Sequence, residues 1–284
     1  MSLADAVLDW YAGAARDLPW RRTSDAWAIL VSEVMLQQTP VARVLPVYDA
    51  WLARWPTPAA LAAAPAGEAV RMWGRLGYPR RALRLHEAAT VVVERHGGVV
   101  PTDLDELLAL PGVGAYTARA VASFAHGQRH AVVDTNVRRV VARAVAGQAE
   151  AGPPSTARDL AACEALVPEE PARAAAFGAG LMELGALVCR ARAPECEACP
   201  LLATCAWRLA GCPAYEGPRA PRQAFEGTDR QARGALLRVV RDAGGPVPDD
   251  ELAWPDEAQR RRALDGLLAD GLVVRTRGGF ALPD

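Results

Sequence analysis

The stretch LDELLALPGVGAYTARAVASFAHGQRHAVVDTNVRRVVARAV, residues 104–145, sets the architecture of the chain. Asp105 to Leu110 are helix formers, Pro111-Gly112-Val113-Gly114 cannot continue that helix, and Ala115 to Ala125 is again helix sequence, stopped by Gly127. Two short helices about a P-G-V-G turn make a helix-hairpin-helix. Gly112 and Gly114 let the backbone approach a ligand where a helix starts, so the turn suits one phosphate held without a side chain. A contact of that kind positions a nucleic-acid backbone and carries no base information. Downstream, Val137, Val140, Val141, Ala144 and Val145 recur at helical spacing behind Asp134, which stands where an N-cap belongs. That carboxylate either only caps the helix or is also held rigidly beside a DNA backbone.

Working outward, residues 3–16 pattern as an amphipathic helix that ends before Leu18-Pro19-Trp20-Arg21. WAILVSEVMLQQ, residues 27–38, is apolar nearly all round, as in a helix buried in a domain core, and is interrupted by Ser32 and Glu33. Desolvation there favours the protonated form of the Glu33 carboxyl, the state a general acid needs; the alternative is that Glu33 turns to solvent or pairs with an arginine. MWGRLGYPRR, residues 72–81, is a glycine-containing turn that places Tyr78 among arginines, where an aromatic ring can stack on or wedge between bases, or serve an ordinary interface. Residues 159–188 return to helix.

The 284 residues suffice for one to three domains. No run approaches the roughly eighteen apolar residues of a membrane span and no signal-peptide pattern opens the chain, so a soluble, cytoplasmic, nucleoid-associated protein is expected. Formal net charge is −1, but the charge is not spread evenly: five arginines and no acid lie between Arg71 and Arg84, and five arginines with one carboxylate between Arg119 and Arg143. Two local basic clusters on a nearly neutral chain fit a DNA footprint, or else solvated helix faces. All 32 basic residues are arginine, so no side-chain amine exists to form a Schiff base.

Cys189, Cys196, Cys199 and Cys205 follow the spacing C-x6-C-x2-C-x5-C, which in an intracellular chain favours a metal site over disulfides. Four thiolates suit zinc or an iron–sulfur cluster, although the paired C-x2-C units of common zinc modules are missing. Cys163 and Cys212 are left over. After a Pro/Gly-containing linker at 213–227, residues 228–284 pattern as a winged helix: a helix at 229–243, a short one near 249–253, a third at 257–269, and a hairpin turning at Gly278-Gly279. Arg260, Arg261 and Arg262 stand on the candidate recognition helix, but residues 226–284 carry eleven acids against nine arginines, so DNA contact and simple packing are equally open.

LPWR, SEVMLQQT, GLGY, LPGVGAYTA, VDTNV, MELGALVC and the cysteine run, in that order, resemble the MutY-type adenine-specific mismatch DNA glycosylases of the helix-hairpin-helix superfamily over residues 16–212. The resemblance implies a mainly α, two-lobed glycosylase core: a six-helix barrel lobe at 27–135, and a lobe at 1–26 and 136–212 carrying a [4Fe-4S] cluster on the four cysteines. It implies a monomeric, monofunctional base-excision-repair enzyme that hydrolyses the N-glycosidic bond of adenine mispaired with 8-oxoguanine or guanine in double-stranded DNA. Glu33 matches the family's catalytic acid and Asp134 its second carboxylate. Tyr116, Asn136 and Arg21 match supporting catalytic positions; Gln38 and Tyr78 match residues that wedge into the base stack, with Gln37 and Thr39 in the same turn. The alternatives are a lyase of the endonuclease III type, which needs a lysine where this chain has Tyr116; a thymine or uracil mismatch glycosylase on the same scaffold; and a non-catalytic iron–sulfur DNA-binding regulator. The chain departs from the family pattern in Pro79 and Thr135, and residues 228–284 stand where the family's Nudix-like C-terminal domain is expected.

Overall fold

The computed structural model describes residues 2–218 and 224–284, so the linker expected at 213–227 lies partly outside the described residues. In chain order the helices are α1 (Leu3–Ala14), α2 (Ala26–Leu36), α3 (Val41–Arg54), α4 (Pro58–Ala62), α5 (Ala66–Trp73), α6 (Arg80–His96), α7 (Leu104–Leu108), α8 (Ala115–Phe124), α9 (Thr135–Ala144), α10 (Thr156–Glu164), α11 (Pro171–Leu187), α12 (Ala206–Leu209), α13 (Asp229–Asp242) and α14 (Glu257–Ala269). The strands β1 (Val274–Thr276) and β2 (Gly279–Ala281) pair antiparallel, with Arg275 opposite Phe280. No helix among the described residues is long and apolar enough to cross a membrane.

Local chemistry sets the boundaries. Ser2 and Asp5 form a reciprocal capping box on α1, and the side chains of Asp103, Asp134, Thr228 and Asp256 cap α7, α9, α13 and α14. Where one helical region was expected over 159–188, the chain forms α10 and α11, because Pro168 cannot donate to a continuing helix and Pro171 opens the next one. The short helix expected near 249–253 is a single 3-10 turn at Asp249–Glu251.

The chain divides into two compact units. One comprises Met1–Leu30, Thr102–Ala109 and Val113–Ala220; the other comprises Val31–Pro101, Leu110–Gly112 and Pro221–Asp284. In the first, α1, α9 and α11 bury Val7, Val137, Val140, Phe177, Leu181 and Leu184 in one core. In the second, Trp51, Trp55 and Trp73 pack edge to face at centroid distances of 4.7 and 5.7 Å and are nearly inaccessible to water.

The C-terminal residues belong to the second unit and are bonded into it. Arg71 donates to the carbonyls of Arg241 and Ala243, Arg241 donates to Gly74 O at 2.6 Å, and Gly67 N donates to Pro283 O at 2.8 Å. The arginines of α14 are answered by acids: Arg260 is held by Asp249 and Glu257, Arg262 by Asp229, and Arg261 lies 3.8 Å from Glu257. These pairs engage all three guanidiniums that the sequence offered for reading a DNA groove, Arg261 least closely.

Candidate active site and cysteine pocket

Asp134 closes the N-terminus of α9 with both carboxylate oxygens. Oδ1 accepts from Val137 N at 2.7 Å and Oδ2 from Asn136 Nδ2 at 2.8 Å. Asn136 Oδ1 in turn accepts from Arg139 at 2.8 Å, and the same guanidinium donates to Cys189 O and Gly185 O, both at 2.7 Å. Burial raises the Asp134 pKa above the ordinary carboxylate range, against the lowering effect of its neutral donors and of Arg139. The carboxylate is therefore fixed in direction without being neutralised by a direct ion pair.

α11 supports this arrangement through the four residues MELG. Met182 Sδ lies 3.9 Å from Tyr116 Oη. Glu183 accepts from Arg16 N, from Arg16 Nε and Nη2, and from Arg21 Nη2, at 2.7 to 2.9 Å. At Gly185 a Cβ would come within 2.6 Å of Asn136 Cβ, so a side chain there would displace the residue that orients Asp134. Burial opposes ionisation of Glu183, but the arginine hydrogen bonds outweigh it and hold the carboxyl at about 2. Arg21 thus ties the Pro19–Arg21 turn to α11, with its guanidinium also over the Tyr11 ring.

Glu33 is 3% exposed on α2, whose mean composition is apolar and whose Leu30, Val31 and Met35 are fully buried. The helix ends in a turn built around Arg81, which donates to the carbonyls of Val34, Met35 and Gln37, to Thr39 Oγ1 and to Gly77 O at 2.6 to 3.0 Å. These bonds satisfy carbonyls that a helix C-terminus leaves open. Thr39 Oγ1 donates onward to Leu76 O at 3.2 Å, joining the Gln37-Gln38-Thr39 turn to the loop that carries Tyr78. Gln38 and Tyr78 both sit in the left-handed region, φ 55° and 47°, which is uncommon for residues other than glycine and typical of functional turns. The sequence groups these residues in two turns but marks Arg81 only as one cation in a cluster.

In the hairpin, Gly112 has φ 76° and a Cβ there would meet Arg84 Cβ at 2.7 Å, so the turn requires glycine. Gly114 is extended and opens α8 without a side-chain cap, and nothing lies within 4 Å of the place its Cβ would take. The first amides of α8 are left for a ligand or water.

Cys189, Cys196, Cys199 and Cys205 are free thiols that line a single pocket with Arg143, Val188 and Trp207. Arg143 reaches Cys189 Sγ at 3.5 Å and lies over the Trp207 ring at 4.8 Å. Burial pushes Cys199 up to about 11. Among the described residues no group of three His, Cys, Asp or Glu side chains is arranged as a site for a metal ion, and the four cysteines line one pocket.

The profile of the HhH-GPD superfamily of base excision DNA repair proteins matches residues 31–165. An adenine DNA glycosylase of Mycobacterium tuberculosis (strain CDC 1551 / Oshkosh) is 58% identical over 98% of this chain and 92% of its own length. The chain belongs to the MutY-type adenine DNA glycosylases. It is a base-excision DNA glycosylase that acts on adenine. The adenine DNA glycosylase of Homo sapiens is 44% identical over 70% of this chain and 38% of its own length. The solved structure of a thermostable thymine-DNA glycosylase superposes with a TM-score of 0.67 at 33% identity, covering 73% of this chain and 95% of that one. The C-terminal residues of this glycosylase are thus within reach of the mycobacterial match, whose coverage is nearly complete.

Proposed function

We propose that this adenine glycosylase is monofunctional and hydrolyses the N-glycosidic bond of adenine opposite 8-oxoguanine or guanine, working as a monomer on duplex DNA. The observation that carries the reading is Asp134, a half-buried carboxylate aimed by neutral donors rather than cancelled by an arginine. Adenine in a duplex is reached only after flipping out of the stack. Glu33, in its apolar helix, supplies the proton to the adenine ring, at N7 by the family resemblance, and makes the base a better leaving group. As the bond breaks, positive charge develops on the sugar, and the fixed charge of Asp134 opposes it. Glu33, now ionised, takes a proton from the water that completes the hydrolysis. Tyr116, Asn136 and Arg21 support these groups, Asn136 directly through its bond to Asp134 and Arg21 through Glu183.

Gln38 and Tyr78 enter the stack from their left-handed turns, with Gln37 and Thr39 beside them, while the amides at Gly112 and Gly114 hold a phosphate. No lysine is available to form an imine with the opened sugar, which supports hydrolysis without strand cleavage. The lobes belong to the same proposal: a barrel at 27–135, a cluster lobe at 1–26 and 136–212, and a winged-helix-like segment at 228–284. Cys189, Cys196, Cys199 and Cys205 line one pocket and would be the residues that hold a [4Fe-4S] cluster, the group that the family resemblance implies. When bound, the cluster supplies a covalent brace across residues 189–205.

Single-turnover assays on duplexes with adenine opposite 8-oxoguanine, guanine, cytosine and thymine test the reading, together with a G:T duplex. Adenine release from the first two, with strand breaks only after alkali, is expected, and Glu33→Gln lowers the rate by about 10²–10⁴-fold while binding persists. Thymine release from G:T, high-yield borohydride trapping on abasic DNA, or an undiminished Glu33→Gln rate would each overturn its part. Purified protein is expected to be brown and to contain iron and sulfide; stoichiometric zinc without iron would remove the cluster.

A further inference from the structure

Two exposed residues of the second unit stand in the left-handed region, Gln38 at φ 55° and Tyr78 at φ 47°. Neither residue type settles there unaided, so each turn relaxes unless the groups beside it are held. One side chain holds the groups beside both. Arg81 Nη1 donates to Gln37 O at 2.6 Å and Nη2 to Thr39 Oγ1 at 2.9 Å, on either side of Gln38. Nη2 also donates to Gly77 O at 3.0 Å, and the Arg81 backbone N–H donates to Tyr78 O at 3.0 Å, so the peptides before and after Tyr78 are held as well.

The same guanidinium reaches back into α2. Nη1 lies 2.8 Å from Val34 O and 3.0 Å from Met35 O, the two carbonyls that follow Glu33. A guanidinium is planar and its donors point in fixed directions, so the three pieces of chain that meet it cannot shift independently. Its two amino groups are engaged by five acceptors, which leaves no amino hydrogen for a phosphate or a base. Among the described residues the half-buried Arg81 faces no carboxylate, and burial pushes its pKa down to about 10, so it stays charged at neutral pH. The charge is balanced by the negative end of α2 and by the faces of Trp73, at 5.1 Å, and Tyr78, at 5.6 Å.

We propose that Arg81 is a positioning residue for base flipping: it holds Gln38 and Tyr78 in the conformation that enters the stack and fixes both against the end of the helix that carries Glu33. The proposal rests on the reading given above, in which Gln38 and Tyr78 enter the stack. A side chain that fills the gap left by a flipped base does so at lower cost when its turn is set before DNA arrives, because ordering the turn on contact would consume binding free energy. The bonds to Val34 and Met35 join insertion and the placing of the acid in one geometry. Lysine in this place keeps the positive charge but offers one ammonium instead of two amino groups held in a plane, so it cannot serve the five acceptors.

The test uses the full chain and three variants. Arg81→Lys breaks the joint, Thr39→Val keeps the guanidinium and removes one of its acceptors, and Arg80→Lys is a control at the exposed start of α6. The probe is a duplex with a tetrahydrofuran abasic residue opposite guanine and 2-aminopurine as its 3′ neighbour, whose fluorescence rises when a side chain opens the stack beside it. Fluorescence is read at saturating protein, with saturation fixed by anisotropy, so a variant that is only less stable or binds more weakly still shows the full rise once bound. Wild type and Arg80→Lys are expected to give the same rise, Arg81→Lys a much smaller one, and Thr39→Val an intermediate one. Single-turnover adenine release is expected to slow by about 10²-fold in Arg81→Lys, as for a misplacement of about 1 Å, and by roughly fivefold in Thr39→Val, as for one hydrogen bond. A full rise at saturation in both variants overturns the role of Arg81, whatever their melting temperatures; if Arg81→Lys does not fold, Thr39→Val decides. No rise with wild type, although adenine is released, sinks instead the reading that Gln38 and Tyr78 enter the stack, and the role of Arg81 with it.

Discussion

Glu183 and Asp134 are two carboxylates of the same unit, one fully buried and one half-buried, and their protonation is pushed in opposite directions. Glu183 has no exposed side-chain surface and receives the donors of two arginines and a backbone N–H, which hold it at about 2. Asp134 receives an amide N–H and an asparagine, both neutral, and burial carries it upward. The difference lies in the charge of the partners. An ion-paired carboxylate spends its charge on the fold; one aimed by neutral donors keeps it for a cation that appears later, during the reaction.

The largest break in this comparison is expected from Glu183→Gln. Removing one member of a buried ionic network leaves Arg16 and Arg21 without their anion and costs about 3–5 kcal/mol, read by urea unfolding. The folded pKa of Glu183 lies below its unfolded value of about 4.3, so its contribution is full above that pH and fades as pH falls toward 2. The gap between wild type and variant is therefore expected to narrow in acid; a gap constant from pH 7 to pH 3 would show that the charge is not what stabilises.

Asp134→Asn comes next and inverts the pattern. The rate of excision is expected to fall by about 10²–10³-fold, a loss of roughly 3–4 kcal/mol of transition-state stabilisation, with binding retained. Asparagine still caps α9 through its oxygen and loses only the bond from Asn136, so the melting temperature is expected to fall little. A collapse of stability would make Asp134 a second Glu183.

Asn136→Ala sharpens the contrast with a smaller effect. It removes one donor worth about 1 kcal/mol and one influence that lowers the Asp134 pKa. The ionised form of Asp134 is lost as pH falls through that raised pKa, so the acid limb of the excision profile is expected to move to higher pH in the variant. An unmoved limb would mean that Asp134 does not set it. The smallest expected effect is on stability itself. Because the folded Asp134 binds its proton more tightly than the unfolded one, wild type is expected to gain on Asp134→Asn as pH falls, opposite in sign to Glu183.

What the sequence disclosed, and what it withheld, follows from the range of each interaction. The caps, the hairpin and the limits of α8, α9 and α14 rest on neighbours within a few residues, and the Asp134 cap was legible from the helical spacing of Val137, Val140 and Val141. The cysteine spacing disclosed a shared pocket for the same reason. Nothing in MELGALVC marks Glu183 as an ion-pair centre, because its partners Arg16 and Arg21 are more than 160 residues away. Arg81 looked like surface charge until the carbonyls ending α2 were found around it. The C-terminal arginines showed the same limit from the other side. A run of three on a helix suggests a groove reader, but Asp249 and Asp229, which bind two of them, lie outside that helix.

The bond from Gly67 N to Pro283 O has a practical consequence. Pro283 is seated against α5, so an affinity tag or fluorescent fusion attached after Asp284 leaves from a seated segment. Extending the chain at that end risks prying the segment from α5, to which the end of α13 is also bonded. A fusion at the opposite terminus avoids that seam, although it must respect the Ser2–Asp5 box that starts α1.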